Sequence, residues 1–173
     1  MTSAYFLLLA VIALLHGFAL GLAIDISSAC DIRICAASAR FSVKEVDIGL
    51  AADIGTLSRL PKVVGSMSWV KEVCLSARIW DAQEALKQGF VSEVLPSKEQ
   101  LMKRGVDIAT LIASKSPVAV LGTKKLLDWS RDHSVEDGLR MTAVWNSAMV
   151  QTEDVQKAVM SGLQKKKPTF EKL

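Results

Sequence analysis

Lys44–Leu57 reads KEVDIGLAADIGTL, with two acids eight residues apart, Glu45 and Asp53, and glycines at 49 and 55. The stretch has neither the 3.6-residue period of an amphipathic helix nor strict strand alternation. Residues 44–52 are therefore expected to form a loop, with helical patterning from Asp53 onward. Taken alone, Glu45 reads as a solvated loop charge and Asp53 as an N-cap for the following helix.

Upstream, Val11–Leu15 is a short apolar run closed by His16-Gly17, the pattern of a fully buried strand. Helical patterning then runs from about Leu20 to Ala29. Asp25 stands inside it among Ala23, Ile24 and Ile26. A buried carboxylate costs several kcal/mol unless it is paired or protonated, so such placements are often functional. Alone, Asp25 also reads as a hydrogen-bonded structural acid. Asp31–Ala36 and Phe41–Val43 read as strands.

Downstream the pattern is mostly helical. Residues 54–64 contain Pro61, which is expected to break or kink the helix. Ser66 caps a helix to Ala77, and Asp81 caps a short one stopped by Gly89. Val91–Leu95 reads as a brief strand. Four helices follow, near Lys98–Ser114, Pro117–Arg131, Val135–Met149 and Glu153–Gln164, the second with Ser116-Pro117 at its start.

Composition narrows the function classes. The 173 residues carry 21 basic and 18 acidic side chains, a net charge of +3 with no clustered basic face, which excludes a nucleic-acid footprint. Cys30, Cys35 and Cys74 form no CxxC pair or metal-ligand spacing and read as reduced core residues of an intracellular protein. Ala4–Ile24 has no formal charge over 21 residues, about the length of a membrane span. A membrane-anchored protein is therefore one reading of the N-terminus; the absence of Lys or Arg in Met1-Thr2-Ser3 argues against a secretory signal.

The longer strings carry a resemblance. HGFALGLAID (16–25), SSACDIRICAASARFSVKEVDIGLAADIGTLSRLPKVVG (27–65) and SKSPVAVLGTKKLLDWSRDHSV (114–135) resemble the enoyl-CoA hydratase/isomerase (crotonase) superfamily, in its dienoyl-CoA isomerase branch. The likeness covers roughly residues 11–173. It implies an α/β, partial crotonase-like (ClpP/crotonase) fold: few strands followed by a helical C-terminal trimerisation region. Residues 1–10 would be an atypical apolar N-terminus, 11–97 the C-terminal part of the core and 98–173 the helical oligomerisation region. The family's N-terminal half, with its repeated strand–strand–helix turns and second oxyanion donor, is expected to be missing. An alternative start, a truncated gene model or a short isoform would each account for that.

The resemblance also implies roles. Glu45 would remove a proton from C2 of a 3,5-dienoyl-CoA, Asp53 would return one at C6, and Asp25 would be a third acid ordering the site. Related hydratases have Gly where this chain has Asp53, so that residue selects the isomerase reading over an enoyl-CoA hydratase or 3,2-enoyl-CoA isomerase. Gly21 and Leu22 would form the oxyanion turn, although Leu22-Ala23 replaces the usual Gly-Gly. In the tail, Phe170 would stack on the adenine of CoA and Lys166, Lys167 or Lys172 would meet its phosphates; a solvated basic tail is the alternative. His133 reads as a surface turn, and Trp69, Trp80, Trp129 and Trp145 as packing residues. The implied substrate is an acyl-CoA thioester of fatty-acid β-oxidation, with no metal or redox cofactor. The implied partners are copies of the chain, as trimer or hexamer, or full-length homologous subunits, with no nucleic acid and no membrane. A non-catalytic subunit is the alternative to an enzyme. Peroxisome or mitochondrion is the implied compartment, the terminal Glu171-Lys172-Leu173 resembling a peroxisomal Ser-Lys-Leu address.

Overall fold

The computed structural model describes residues 9–171. It divides into two compact units, the first ending at Asp107 and the second beginning at Ile108. The first unit holds the strands β1 (Ile12–Leu15), β2 (Phe18–Leu20), β3 (Ile32–Ala36), β4 (Arg40–Ser42), β5 (Trp80–Asp81) and β6 (Val94–Leu95). Its helices are α1 (Leu22–Ala29), α2 (Thr56–Val63), α3 (Met67–Ser76) and α4 (Ala82–Lys87), and α5 (Lys98–Ala113) crosses the division. The second unit holds α6 (Pro117–Ser130), α7 (Val135–Met149) and α8 (Glu153–Leu163).

The strands stack in layers. β1 pairs in parallel with β3, Ile12 opposite Ile32, and β3 with β6. β2 pairs in parallel with β4, Phe18 opposite Arg40, and β4 runs antiparallel to β5. Two successive strand–strand–helix units therefore lie one over the other. Connections differ between them: the first passes from β2 to α1 through Gly21 alone, whereas the second runs from β4 to α2 through residues 43–55.

This arrangement corrects several expectations. The apolar N-terminal stretch is not one helix: in its described part it divides into β1, β2 and the start of α1, because parallel pairing with β3 and β4 satisfies its backbone. No single helix among the described residues is long and apolar enough to cross a membrane. β1 is half-buried rather than fully buried, since among the described residues only β3 flanks it. Phe18–Leu20, which had no sequence assignment as a strand, is β2. Pro61 lies inside α2, which continues two residues beyond it and ends at Val63. The predicted loop 44–52 contains a 3-10 turn, Glu45–Ile48.

Local signals place most other ends. Ser66, Asp81, Ser116 and Ser134 cap α3, α4, α6 and α7 by accepting N–H bonds from Trp69, Glu84, Ala119 and Asp137. The guanidinium of Arg33 donates to the carbonyls of Ser27 and Cys30 at the end of α1 and to the carbonyl of Phe90.

The core of the first unit is aromatic at its centre. Phe41 stacks on Trp80 at 5.9 Å, Trp69 meets Trp80 edge-on at 5.3 Å, and Phe90 packs edge-on against Phe41 at 5.6 Å. Trp69 and Trp80 are thus packing residues, as read from the sequence. Outside, Trp129 stacks on exposed His133, whose Nδ1 lies 2.7 Å from the Trp129 carbonyl. The three cysteines are free thiols; burial pushes Cys35 up to about 11, so it stays protonated at neutral pH.

Beside this core, Glu84 accepts from the indole N–H of Trp69 at 2.7 Å and from both terminal nitrogens of Arg78. The Arg78 hydrogen bonds, with help from Trp69, hold the Glu84 carboxyl below its ordinary value of 4.5. A depressed carboxylate contributes stability that is complete above its ordinary value and is lost as pH falls through the lower folded-state value. Glu84→Ala should cost about 1.5–3 kcal/mol, the range for hydrogen bonds to charged groups. Chemical denaturation at pH 7 and below pH 4 checks this: the loss should shrink in acid, and an equal loss at both would contradict it.

Candidate functional site

The turn from β2 into α1 requires a residue that the sequence supplies at Gly21, with φ of 54° and ψ of −116°. That conformation is strained for any side chain bearing a Cβ. Its N–H donates to the Ser42 carbonyl at 2.9 Å, which continues the β2–β4 pairing into the turn. Space is the second constraint: a Cβ on Gly21 would lie 3.2 Å from Oε1 of Glu45. The turn and the carboxylate are thus in direct proximity, although 24 residues separate them in sequence.

Leu22 opens α1, and its N–H has no acceptor among the described residues. An unsatisfied N–H at a helix start is a ready donor for an anion or a polarised oxygen. The Leu22 side chain points outward and is exposed. The departure from Gly-Gly therefore leaves the donor in place.

Glu45 starts the 3-10 turn and is half-buried. Its Oε2 is buried with no hydrogen-bond partner among the described residues. Such an oxygen bears a desolvation cost that no protein contact offsets. Cys74, on α3, lies close enough to feel it: burial and then the Glu45 charge push that thiol upward. Lys44 fixes the turn from the other side, its Nζ donating to Asp47 Oδ2 at 2.6 Å and to the Ala77 carbonyl at 3.3 Å.

Asp25 is buried in α1, 1% exposed, and its Oδ1 accepts the Thr56 N–H at 2.7 Å. This explains the start of α2: its N-cap is Gly55, φ 130°, which has no side chain to cap with. A carboxylate from the neighbouring helix does so instead, favoured by the positive end of the α2 dipole. Asp53 is not the cap of α2. It lies exposed in the loop, and no hydrogen bond or ion pair joins it to Glu45 or Asp25 among the described residues. Past it, the Arg59 guanidinium lies over Gly55 and donates to the Ile54 carbonyl at 3.3 Å.

Of the predicted residues, then, the structure brings together Gly21, Leu22 and Glu45, ties Asp25 to the end of the loop carrying Asp53, and leaves Asp53 open to solvent. In the second unit Phe170 is half-buried and Lys166 and Lys167 are exposed; Lys172 lies outside the described residues. Thr56 and Arg59 had no place in the sequence reading, and Cys74 was read only as a reduced core thiol. Gly55 was the available signal for Thr56, since a helix without a capping side chain needs an acceptor from elsewhere. Among the described residues no three His, Cys, Asp or Glu side chains gather as a metal site.

Two stability effects of opposite sign follow. Asp25→Ala strips the Thr56 N–H of its acceptor and should cost about 1–3 kcal/mol. Glu45→Gln removes a carboxylate oxygen that lacks a partner and should leave stability unchanged or raised. Urea unfolding of both variants measures this; a stable Asp25→Ala or a strongly destabilised Glu45→Gln would contradict the geometry.

Comparison with known proteins identifies the family and the fold. The family model for enoyl-CoA hydratase/isomerase matches residues 1–172. The chain is 51% identical over 166 residues to the mitochondrial Delta(3,5)-Delta(2,4)-dienoyl-CoA isomerase of Rattus norvegicus, covering 94% of this chain and 51% of that protein. It is 47% identical to the peroxisomal enzyme of the same name from Arabidopsis thaliana, covering 94% and 58%. The chain thus spans about half the length of the curated relatives it matches. Among solved structures, the enoyl-CoA hydratase of Bacillus anthracis superposes with a TM-score of 0.91 at 30% identity, over 96% of this chain and 64% of that one. An enoyl-CoA hydratase/isomerase from Cupriavidus metallidurans gives 0.88 at 33%, over 95% and 62%. The fold is therefore the crotonase fold, and the chain belongs to the enoyl-CoA hydratase/isomerase family.

Proposed function

We propose that this protein serves the isomerisation of 3,5-dienoyl-CoA to 2,4-dienoyl-CoA in fatty-acid β-oxidation, with Glu45 as base and Asp53 as acid. The observation that carries the reading is the buried, unpartnered Oε2 of Glu45 beside the Gly21–Leu22 turn. A carboxylate kept there without a partner suits a group whose partner is a substrate proton. The relatives named dienoyl-CoA isomerases support the choice of substrate.

In this mechanism the thioester oxygen accepts the Leu22 N–H, which stabilises the negative charge of the dienolate. Glu45 takes a proton from C2, and the electron pair spreads along the conjugated chain to C6. Asp53, entering as the acid, donates a proton at C6 and closes the 2,4-diene. Glu45 ends protonated and Asp53 ionised, so each turnover requires proton exchange to restore the pair. The exposure of Asp53 gives it solvent for that step. Asp25 acts through Thr56 as a positioning residue. The reaction is redox-neutral proton transfer and calls for no metal or redox cofactor.

The proposed assembly is an oligomer of this chain or of this chain with homologous subunits. Leu127, Val135, Leu139 and Val144 are exposed apolar residues of α6 and α7 that suit such a contact. The names of the relatives support a mitochondrial or peroxisomal site of action.

An absorbance assay for the conjugated 2,4-dienoyl thioester, starting from 3,5-dienoyl-CoA, tests the reading. Glu45→Gln and Asp53→Asn should each lower kcat by about 10²–10⁴, the usual worth of a positioned acid or base. Both should retain the native circular dichroism spectrum. Unimpaired turnover in either variant, or no turnover by the folded parent, would remove the proposal.

A further inference from the structure

Asp53 has to reach C6 of the substrate, yet it is exposed, and no side-chain hydrogen bond or ion pair holds its carboxylate among the described residues. A proton donor must stand within hydrogen-bond reach of the atom it serves, and a misplacement of about 1 Å can cost roughly 10²-fold in rate. The aim of Asp53 is therefore set by the backbone beside it. Downstream that backbone is Ile54, Gly55 and the start of α2.

Three features fix this stretch. Gly55 takes a φ of 130°, a conformation that strains any residue with a Cβ. The next N–H, that of Thr56, donates to Asp25 Oδ1. Arg59, one turn into α2, folds back over the start of its own helix. Its Nη1 donates to the Ile54 carbonyl at 3.3 Å, and Nη1, Cζ and Nη2 all lie within 3.0 Å of the point where a Cβ on Gly55 would stand. A methyl group at position 55 would displace the guanidinium, so Gly55 also makes the room for it. This placement runs against the α2 dipole, because a cation is disfavoured at the positive end of a helix. An arginine extended into solvent would avoid that cost. Arg59 is instead half-buried and lies against the Ile54–Gly55 peptide.

Glu45 is secured separately. Its 3-10 turn is closed by the Leu50 N–H, which donates to the Glu45 carbonyl at 3.0 Å, and Lys44 ties it to Asp47 and to the Ala77 carbonyl. The backbone beside each acid thus meets a different cation, Lys44 at one and Arg59 at the other. We propose that Arg59 is a positioning residue: by clamping the Ile54–Gly55 peptide it aims Asp53 at C6 of the bound dienolate, and it leaves proton removal by Glu45 untouched. This inference rests on the isomerase reading above. Arg59 meets no reacting atom in this role and acts only through the backbone that carries Asp53.

The test compares the full 173-residue chain with Arg59→Met, which keeps a long side chain but no charge or donor, and with Arg59→Lys, which keeps both. Arg59→Met should lower kcat by about tenfold, as for a misplaced acid, with KM within about twofold of the parent. Given 3,5-dienoyl-CoA deuterated at C2, it should still wash the label out of unconverted substrate at the parent's rate. Arg59→Lys lacks the planar fork but should return kcat to within about threefold of the parent. In Arg59→Met the 15N order parameters of Asp53 and Gly55 should fall towards about 0.6, the range of flexible backbone, while those of α3 stay as in the parent. Loss of kcat and wash-out together would mark a general structural effect and overturn the proposal. Unchanged order parameters, or an undiminished kcat in Arg59→Met, would overturn it equally. A parent that forms no 2,4-diene removes the isomerase reading and this inference together; an active parent with insensitive Arg59 variants removes the inference alone.

Discussion

The hydrogen bond from the Thr56 N–H to the buried Asp25 carboxylate joins α1 to the start of α2 across 31 residues. It fixes one of the two ends of the segment 43–55. The other anchor is the Gly21 N–H on the Ser42 carbonyl, at the opposite end of that segment. Both anchors come from one short piece of chain, Gly21 at the β2–α1 turn and Asp25 in the first turn of α1, so the loop bearing Glu45 and Asp53 is held at both ends close to the Leu22 N–H. The second layer differs from the first mainly by this inserted loop, and the candidate site occupies it. The pairing of β2 with β4 thus fixes one end of this longer connection, and the Asp25–Thr56 bond fixes the other.

The energetic signs within that loop are mixed, as expected of a functional site. Asp25 is a buried charge with a partner and a helix dipole to face. Glu45 is a half-buried residue whose inner oxygen has neither, next to a glycine whose conformation and close approach both disfavour a side chain. Nothing in the packing requires Glu45 to be acidic. Lys44 and the Ala77 carbonyl hold its turn through a side chain that is not the carboxylate. The contact that holds the turn and the unpartnered carboxylate oxygen are therefore carried by different residues only one position apart.

Much of this was legible in the sequence where the cause is local. Ser66, Asp81 and Ser116 mark helix starts because a capping side chain acts within three residues, and the structure places them there. Gly89 marks a stop for the same reason, with φ of 80°. What was illegible depends on distant partners. Phe18–Leu20 is a strand only because β4 lies beside it, and three residues before a helix carry no period of their own. Asp53 looked like the cap of α2 by proximity, but the acceptor comes from Asp25 in another layer. β1 looked fully buried from its composition, which reports apolar character but not how many neighbours a strand has. The acids themselves were found through the resemblance of the whole string, since each alone also fits an ordinary structural role.

The division of labour between the two acids is the central claim, and label wash-out tests it most directly. A 3,5-dienoyl-CoA carrying deuterium at C2 would be incubated in ordinary water with the Asp53→Asn protein and, separately, with Glu45→Gln. If Glu45 opens the reaction and Asp53 closes it, the Asp53 variant exchanges the C2 label with solvent while forming little 2,4-diene, and the Glu45 variant retains the label. Retention of the label by the Asp53 variant, with wash-out by the Glu45 variant, would reverse the roles and contradict the account.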